Sequence, residues 1–163
     1  MAKNKEEKTN VMRVLEQKKI AYTAHTYPHE EGVAVDGVTV AKSMGFDPAI
    51  VFKTLVARGA SKQYYVFDVP VAANLDLKKA AKAVGEKSIE MLHQKELLPL
   101  TGYVHGGCSP VGMKKLFPTV IDASAENLET MIVSAGKIGY QVELSPRDLA
   151  TLVRASFADL VAE

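Results

Sequence analysis

Two β-rich runs near the middle of the chain, VFKTLVA (Val51 to Ala57) and YYVFDV (Tyr64 to Val69), are separated only by RGASKQ. Runs of β-branched and aromatic residues joined by a short polar connection with a glycine read as a hairpin. Strand runs that come in hairpin-like pairs argue against a purely parallel, doubly wound sheet. More strands are expected in AYTAHTY (Ala21 to Tyr27, ended by Pro28), TVIDA (Thr119 to Ala123) and TMIVSA (Thr130 to Ala135). A glycine turn, AGKIG, then leads to a further strand, YQVEL.

Helical patterns lie between these runs. Thr9 to Lys19 places Val11, Val14, Leu15 and the stem of Lys18 on one face, with Thr9 or Asn10 as cap. Thr39 to Met44 forms a short helix closed by Gly45, and Leu75 to Val84 a longer one, capped by Asn74 or Asp76 and stopped by Gly85. His93 to Leu98 is expected to end at Pro99. Ser145-Pro146 opens the last helix with a serine cap, proline at the first position and Asp148 near the positive end. The expected fold class is α+β: one domain with a curved, mixed, pseudobarrel-like sheet surrounded by helices.

The 163 residues favour one domain, and 47% hydrophobic against 24% charged residues is a globular balance. A chain of this size buries roughly 70% of its unfolded surface and needs no disulfide to fold. With a single cysteine it can form none internally, which fits a reducing cytoplasm. MAKNKEEKTN is polar and lacks the apolar core of a signal peptide. Residues 1–8 are therefore expected to be a flexible tail before a domain spanning 9–163. No apolar run approaches a membrane span. A net charge of +1 argues against coating duplex DNA, so any nucleic acid must be held by a local patch or at one end.

The most unusual segment is TGYVHGGCSPVGMKK, Thr101 to Lys115, which holds the only cysteine. Cys108 as a nucleophile with His105 as base would require contact across a Gly-Gly turn, and nothing local lowers the thiol pKa. The histidines His25, His29, His93 and His105 have no metal-ligand spacing, so no metal is expected. Gly136-Lys137 in SAGKIG lacks the rest of a phosphate-binding loop, since Met131 and Ile138 occupy the positions that need glycine and Ser or Thr. Gly106 and Gly107 allow a ligand close to their amides, and Pro110 restricts Ser109, so this loop is either an oxyanion-type cradle or an ordinary turn. Lys53 alternates with Val51 and Leu55. It is either a cleft lysine or an edge lysine whose stem covers apolar surface.

The order HTYPH, FKTLV, NLDLKKAAKAVGEKSIEM, TGYVHGGCSPVG, VSAGKIG and SPRDL resembles the YbaK family of Cys-tRNA(Pro) deacylases, relatives of the editing domain of bacterial prolyl-tRNA synthetase. The match runs from about Asn10 to the C-terminus. The resemblance implies hydrolysis, in trans, of cysteine mischarged onto tRNA(Pro), and with it Cys-tRNA(Cys), without a cofactor. It implies Lys53, Gly106 and Gly107 as the catalytic set, the glycines acting through backbone amides of a G-x-x-x-P loop. Tyr27, Thr54, Ser109, Pro110 and Ser134 are implied to bind substrate. Cys108 is implied to pack, with attack assisted by the substrate itself.

The implied partners are the acceptor end of an aminoacyl-tRNA and, in complex, prolyl-tRNA synthetase. A patch drawn from Lys78, Lys79, Lys82, Lys87, Lys114, Lys115 and Lys137 would hold the tRNA. The alternatives are editing of alanine or serine on tRNA, or a non-catalytic binding module of the same fold. The segment HEEGVAVDG is either a lid or a solvated connection.

Overall fold

The structure is a computed structural model and describes residues 8–163. The tail expected over residues 1–8 lies outside the described residues except for Lys8, whose ammonium pairs with Glu16 at 2.8 Å. Five α-helices and eight strands are formed among the described residues.

Helix α1 (Asn10–Gln17) begins where Thr9 Oγ1 accepts from the Met12 N–H at 3.2 Å. Strand β1 (Thr23–Thr26) follows, then α2 (Gly37–Met44). Helix α2 starts two residues earlier than its apolar pattern indicated, because the Asp36 carboxylate accepts from both the amide and the hydroxyl of Thr39. Gly45 closes it in the left-handed region. The hairpin is present as β2 (Phe52–Gly59) and β3 (Tyr64–Pro70), with Thr54 directly opposite Asp68. Helix α3 (Leu77–Val84) is capped by Asp76 and closed by Gly85.

Strand β4 (Ile89–Met91) and helix α4 (Gln94–Thr101) come next. The expectation that α4 ends at Pro99 is corrected: the helix runs through to Thr101. Proline removes one N–H, but the last turn is held by other bonds. Thr101 Oγ1 donates to the Leu97 carbonyl at 2.8 Å and Lys114 Nζ to the Pro99 carbonyl at 3.2 Å. The chain finishes with β5 (Thr119–Asp122), β6 (Met131–Ser134), β7 (Tyr140–Leu144), α5 (Pro146–Val153) and β8 (Ser156–Ala158). Ser145 caps α5 through the Asp148 amide.

The expected curved mixed sheet is realised as two sheets. One has the order β1-β7-β6 and is antiparallel; the other has the order β4-β2-β3-β5-β8, antiparallel at β4-β2-β3 and parallel at β3-β5-β8. They meet at a single parallel bridge between Val51 and Ile132, so the barrel does not close. The hairpin separates two cores. Phe52, Val56 and Val66 face a large cluster containing Leu15 of α1, Leu149 of α5 and Val111 of the glycine loop. Ala57, Phe67 and Val69 face Ala80 and Ala81 of α3. A third cluster, Ala41, Val51, Val71 and Ile132, lies at the junction of the sheets. Each large side chain withdrawn from water contributes about 1.5–3 kcal/mol, enough to fix the junction where the two sheets part.

Candidate functional site

A cavity of about 300 Å³ opens where the sheets diverge. Strand β2 supplies Phe52, Lys53, Thr54 and Leu55. The glycine loop supplies His105, Gly106 and Cys108, and the β6-β7 pair supplies Ser134 and Gln141, which stand opposite each other in register. Tyr27, the segment Val35 to Gly37 and the apolar side chains of Val40, Val51, Val71 and Leu97 complete the wall.

Lys53 is half-buried, and burial lowers its pKa from the ordinary lysine value. Its ammonium has no ion pair or hydrogen bond among the described residues. A partly desolvated cation with no partner is a group held ready for an anionic or carbonyl oxygen. Of the two readings of Lys53, its place on the cavity wall favours the cleft lysine. Thr54, one position on, lies on the opposite face with Phe52 and Val56; its hydroxyl donates to Asp68 Oδ1 at 2.6 Å.

The glycine loop is fixed by contacts of its own. Gly106 has φ +90°, and a Cβ there would lie 2.7 Å from the Ala34 Cβ. A Cβ on Gly107 would lie 3.1 Å from the Ile138 nitrogen, so the loop packs directly on the backbone of the β6-β7 turn. The Gly107 N–H donates to the Val104 carbonyl at 3.0 Å. That amide is engaged in a turn, and Gly107 is not part of the cavity wall. By contrast, the N–H groups of Gly106 and Cys108, both on the wall, have no hydrogen-bond partner among the described residues.

Ser109 and Pro110 are buried behind the wall; Ser109 Oγ accepts from the Val111 amide at 3.2 Å. These two, expected to bind substrate, lie behind the cavity wall and hold the loop. Lys53, Gly106, Tyr27, Thr54 and Ser134 do meet around it. Ser134 Oγ accepts from the Gly136 amide at 3.1 Å, and Tyr27 is anchored by its N–H on the Gly139 carbonyl at 3.0 Å.

The thiol of Cys108 is 7% exposed, and burial above all, with the Asp68 carboxyl adding, pushes its pKa up to about 12. A thiol so far from ionising at neutral pH is a poor nucleophile. No hydrogen bond joins it to the exposed His105; its polar partner is Thr101. His25 is paired with Glu143 at 2.8 Å and the His29 ring bonds the Tyr27 carbonyl at 3.2 Å. Among the described residues no three His, Cys, Asp or Glu side chains cluster as metal ligands. The SAGKIG segment is a hairpin turn, with the Ala135 amide on the Tyr140 carbonyl.

Two buried polar residues near the cavity were not singled out from sequence. Gln141 is 6% exposed and lines the wall, and its Oε1 has no partner among the described residues. The sequence carried no signal for it, because Gln141 falls with Glu143 on the polar side of the alternation in YQVEL. Asp68 is fully buried behind Thr54, and its Oδ2 likewise has no partner. Its signal was an acid inside the apolar run YYVFDV. Burial raises the Asp68 pKa to about 7, partly offset by the Thr54 hydrogen bond.

An ammonium and two main-chain N–H groups without partners among the described residues meet around one small cavity, beside the oxygens of Thr54, Ser134 and Gln141. A model of the aminoacyl-tRNA editing domain matches residues 32–152. EbsC of Enterococcus faecalis (strain ATCC 700802 / V583), assigned as a Cys-tRNA(Pro)/Cys-tRNA(Cys) deacylase, is 44% identical over 164 residues, covering 100% of this chain and 99% of EbsC. A solved structure assigned as a trans-editing enzyme for prolyl-tRNA synthetase superposes with a TM-score of 0.81 at 25% identity, covering 94% of this chain and 95% of that one. The hypothetical protein APE2540 shares the fold, with a TM-score of 0.82 at 20% identity over 93% of this chain and 99% of its own. This chain belongs to the aminoacyl-tRNA editing domain family. No helix among the described residues is long and apolar enough to cross a membrane.

Proposed function

We propose that this protein hydrolyses cysteine from mischarged tRNA(Pro), and also from Cys-tRNA(Cys), acting in trans. The observation that carries the reading is the cavity itself. It sets the Lys53 ammonium and the free N–H groups of Gly106 and Cys108 around a space sized for one small amino acid. The full-length likeness to EbsC supports cysteine as the residue removed.

An aminoacyl ester is already activated. Attack on its carbonyl carbon, by water or by the substrate's own thiol, puts negative charge on the carbonyl oxygen. Main-chain N–H groups fixed by a rigid loop stabilise that charge without reorganising. Gly106 and Cys108 supply them; Gly107, whose amide is spent on Val104, supports the turn. When the ester C–O bond breaks, the ribose oxygen leaves with a proton from the attacking group. Lys53 binds and orients the ester or the terminal phosphate and does not act as the base. Cys108 contributes its backbone and packs its side chain.

The acceptor end reaches the cavity past the segment Val35 to Gly37, which serves as part of the wall. Among the lysines expected to hold tRNA, Lys79 is already paired with Asp159 at 3.0 Å and gives its charge to that contact. Lys114 is held on the Pro99 carbonyl at 3.2 Å. The tRNA is then gripped only weakly by lysines, and selection of tRNA(Pro) falls to a complex with prolyl-tRNA synthetase.

The test is release of labelled amino acid from tRNA(Pro) charged in turn with cysteine, alanine, serine and proline. Cysteine is expected to leave fastest and proline at the uncatalysed rate. Faster release of alanine or serine would reassign the pocket, and no release from any of them would leave a binding module.

A further inference from the structure

Thr54 and Asp68 form a polar pair inside an otherwise apolar face. Their neighbours on that face are Phe52, Val56 and Val66, each 3% exposed or less. Asp68 itself is 0% exposed. A buried carboxyl in such a place costs stability unless its oxygens are bonded, and only Oδ1 is: it accepts from Thr54 Oγ1 at 2.6 Å, while Oδ2 has no partner among the described residues. Strand β5 offers Ile121 opposite Asp68, and the glycine loop brings the Cys108 thiol near it. No cation answers the carboxyl among the described residues. An apolar residue would pack here without penalty, so this pair costs the core something that the fold does not need.

A threonine hydroxyl has one proton and two lone pairs. Asp68 takes the proton. Thr54 lines the cavity, and what its oxygen has left to offer there is acceptor capacity only. Resting on the deacylase reading above, we propose that Asp68 is a positioning residue: it locks the Thr54 hydroxyl as an acceptor toward the bound aminoacyl group, so that the cavity selects a side chain carrying a short hydrogen-bond donor, the cysteine thiol, over an alkyl group of the same size. The selection is made in binding, before the ester is attacked. It is separate from Lys53 and the loop amides, which act on the carbonyl.

The probes are 3′-amide analogues of aminoacyl-adenosine, which cannot be hydrolysed, carrying cysteine or 2-aminobutyrate, its isostere with methyl in place of thiol. Binding is measured by calorimetry near pH 8, above the raised Asp68 titration, beside deacylation of Cys-tRNA(Pro) by the same preparation. Wild type is expected to prefer the cysteinyl analogue by about two- to three-fold, because a thiol is a weak donor and its hydrogen bond falls at the low end of the ordinary range. Asp68→Asn, whose side-chain oxygen still accepts from Thr54, keeps that preference. Asp68→Leu releases the hydroxyl to turn between donor and acceptor roles and lowers the ratio toward one.

If Asp68→Leu does not fold, Thr54→Val carries the same expectation, with Thr54→Ser retaining the preference. Equal binding of both analogues by a wild type that deacylates Cys-tRNA(Pro), or a ratio unchanged in Asp68→Leu or Thr54→Val, overturns this inference alone. A wild type that neither deacylates nor binds either analogue overturns the deacylase reading and this inference with it.

Discussion

Cys108 and Lys53 stand on the same cavity wall and are affected by burial in opposite ways. Burial disfavours the charged form of each, which keeps the Cys108 thiol protonated while making the Lys53 ammonium easier to deprotonate. Activity that depends on the ammonium is therefore expected to fall on the alkaline side at a pH below the ordinary lysine value of 10.5, and a pH–rate profile with a stable ester substrate reads this directly.

Asp68 gives a second dependence on pH. Unfolded, it titrates near 3.8; folded, at about 7. Between these values the folded state holds a proton that the unfolded state has lost. Its contribution is thus full below the unfolded value and is lost as pH rises through the folded one, at about 1.4 kcal/mol per pH unit. Urea unfolding of wild type and Asp68→Asn should show wild type losing ground from about pH 4 to pH 7 and levelling off above that; parallel curves would contradict the raised titration.

At the scale of elements, what was legible follows from how local each determinant is. The hairpin, and the caps at Gly85, Gly45 and Ser145, depend on residues within a turn of one another, and their sequence signals were sufficient; at the start of α3 the sequence offered Asn74 or Asp76, and the helix begins at Leu77 with Asp76 as its cap. Strands β4 and β8, three residues each, were not foreseen, because they exist only as partners: β4 on the end of β2, β8 on β5. Helix α4 passes Pro99 for the same reason, since Lys114 reaches it from a distant part of the chain.

The glycine loop was legible as an unusual backbone, but which of its amides are free was not. That is decided by the Gly107–Val104 bond and by contact with the β6-β7 turn. Gly106→Ala should be severe, since the residue has φ +90° and the new Cβ meets Ala34. A loss of about 1–2 kcal/mol in stability and at least ten-fold in deacylation is expected. Thermal unfolding and kinetics on the same variant check both, and normal activity would place the oxyanion elsewhere.

The whole molecule is two sheets parted at the Val51–Ile132 bridge, with the cavity in the gap. The sequence pattern indicated mixed strands around one curved surface; the break into two sheets depends on which strands pair at long range and has no local signature. This scale also governs the tRNA. With a net charge of +1 and Lys79 neutralised by Asp159, few phosphates are engaged, so kcat/KM on tRNA should fall only shallowly with salt. A log–log slope steeper than about −4 would reveal a larger contact surface than the acceptor end.

The central claim is that the cavity cleaves the ester with a backbone cradle and an ammonium, and without the cysteine thiol. The most direct measurement is single-turnover release of cysteine from Cys-tRNA(Pro) by wild type, Cys108→Ala and Lys53→Ala, each shown to be folded. Cys108→Ala is expected to stay within a few fold of wild type, while Lys53→Ala loses on the order of a hundred-fold. A Cys108→Ala protein that is inactive beside an active Lys53→Ala would contradict that claim.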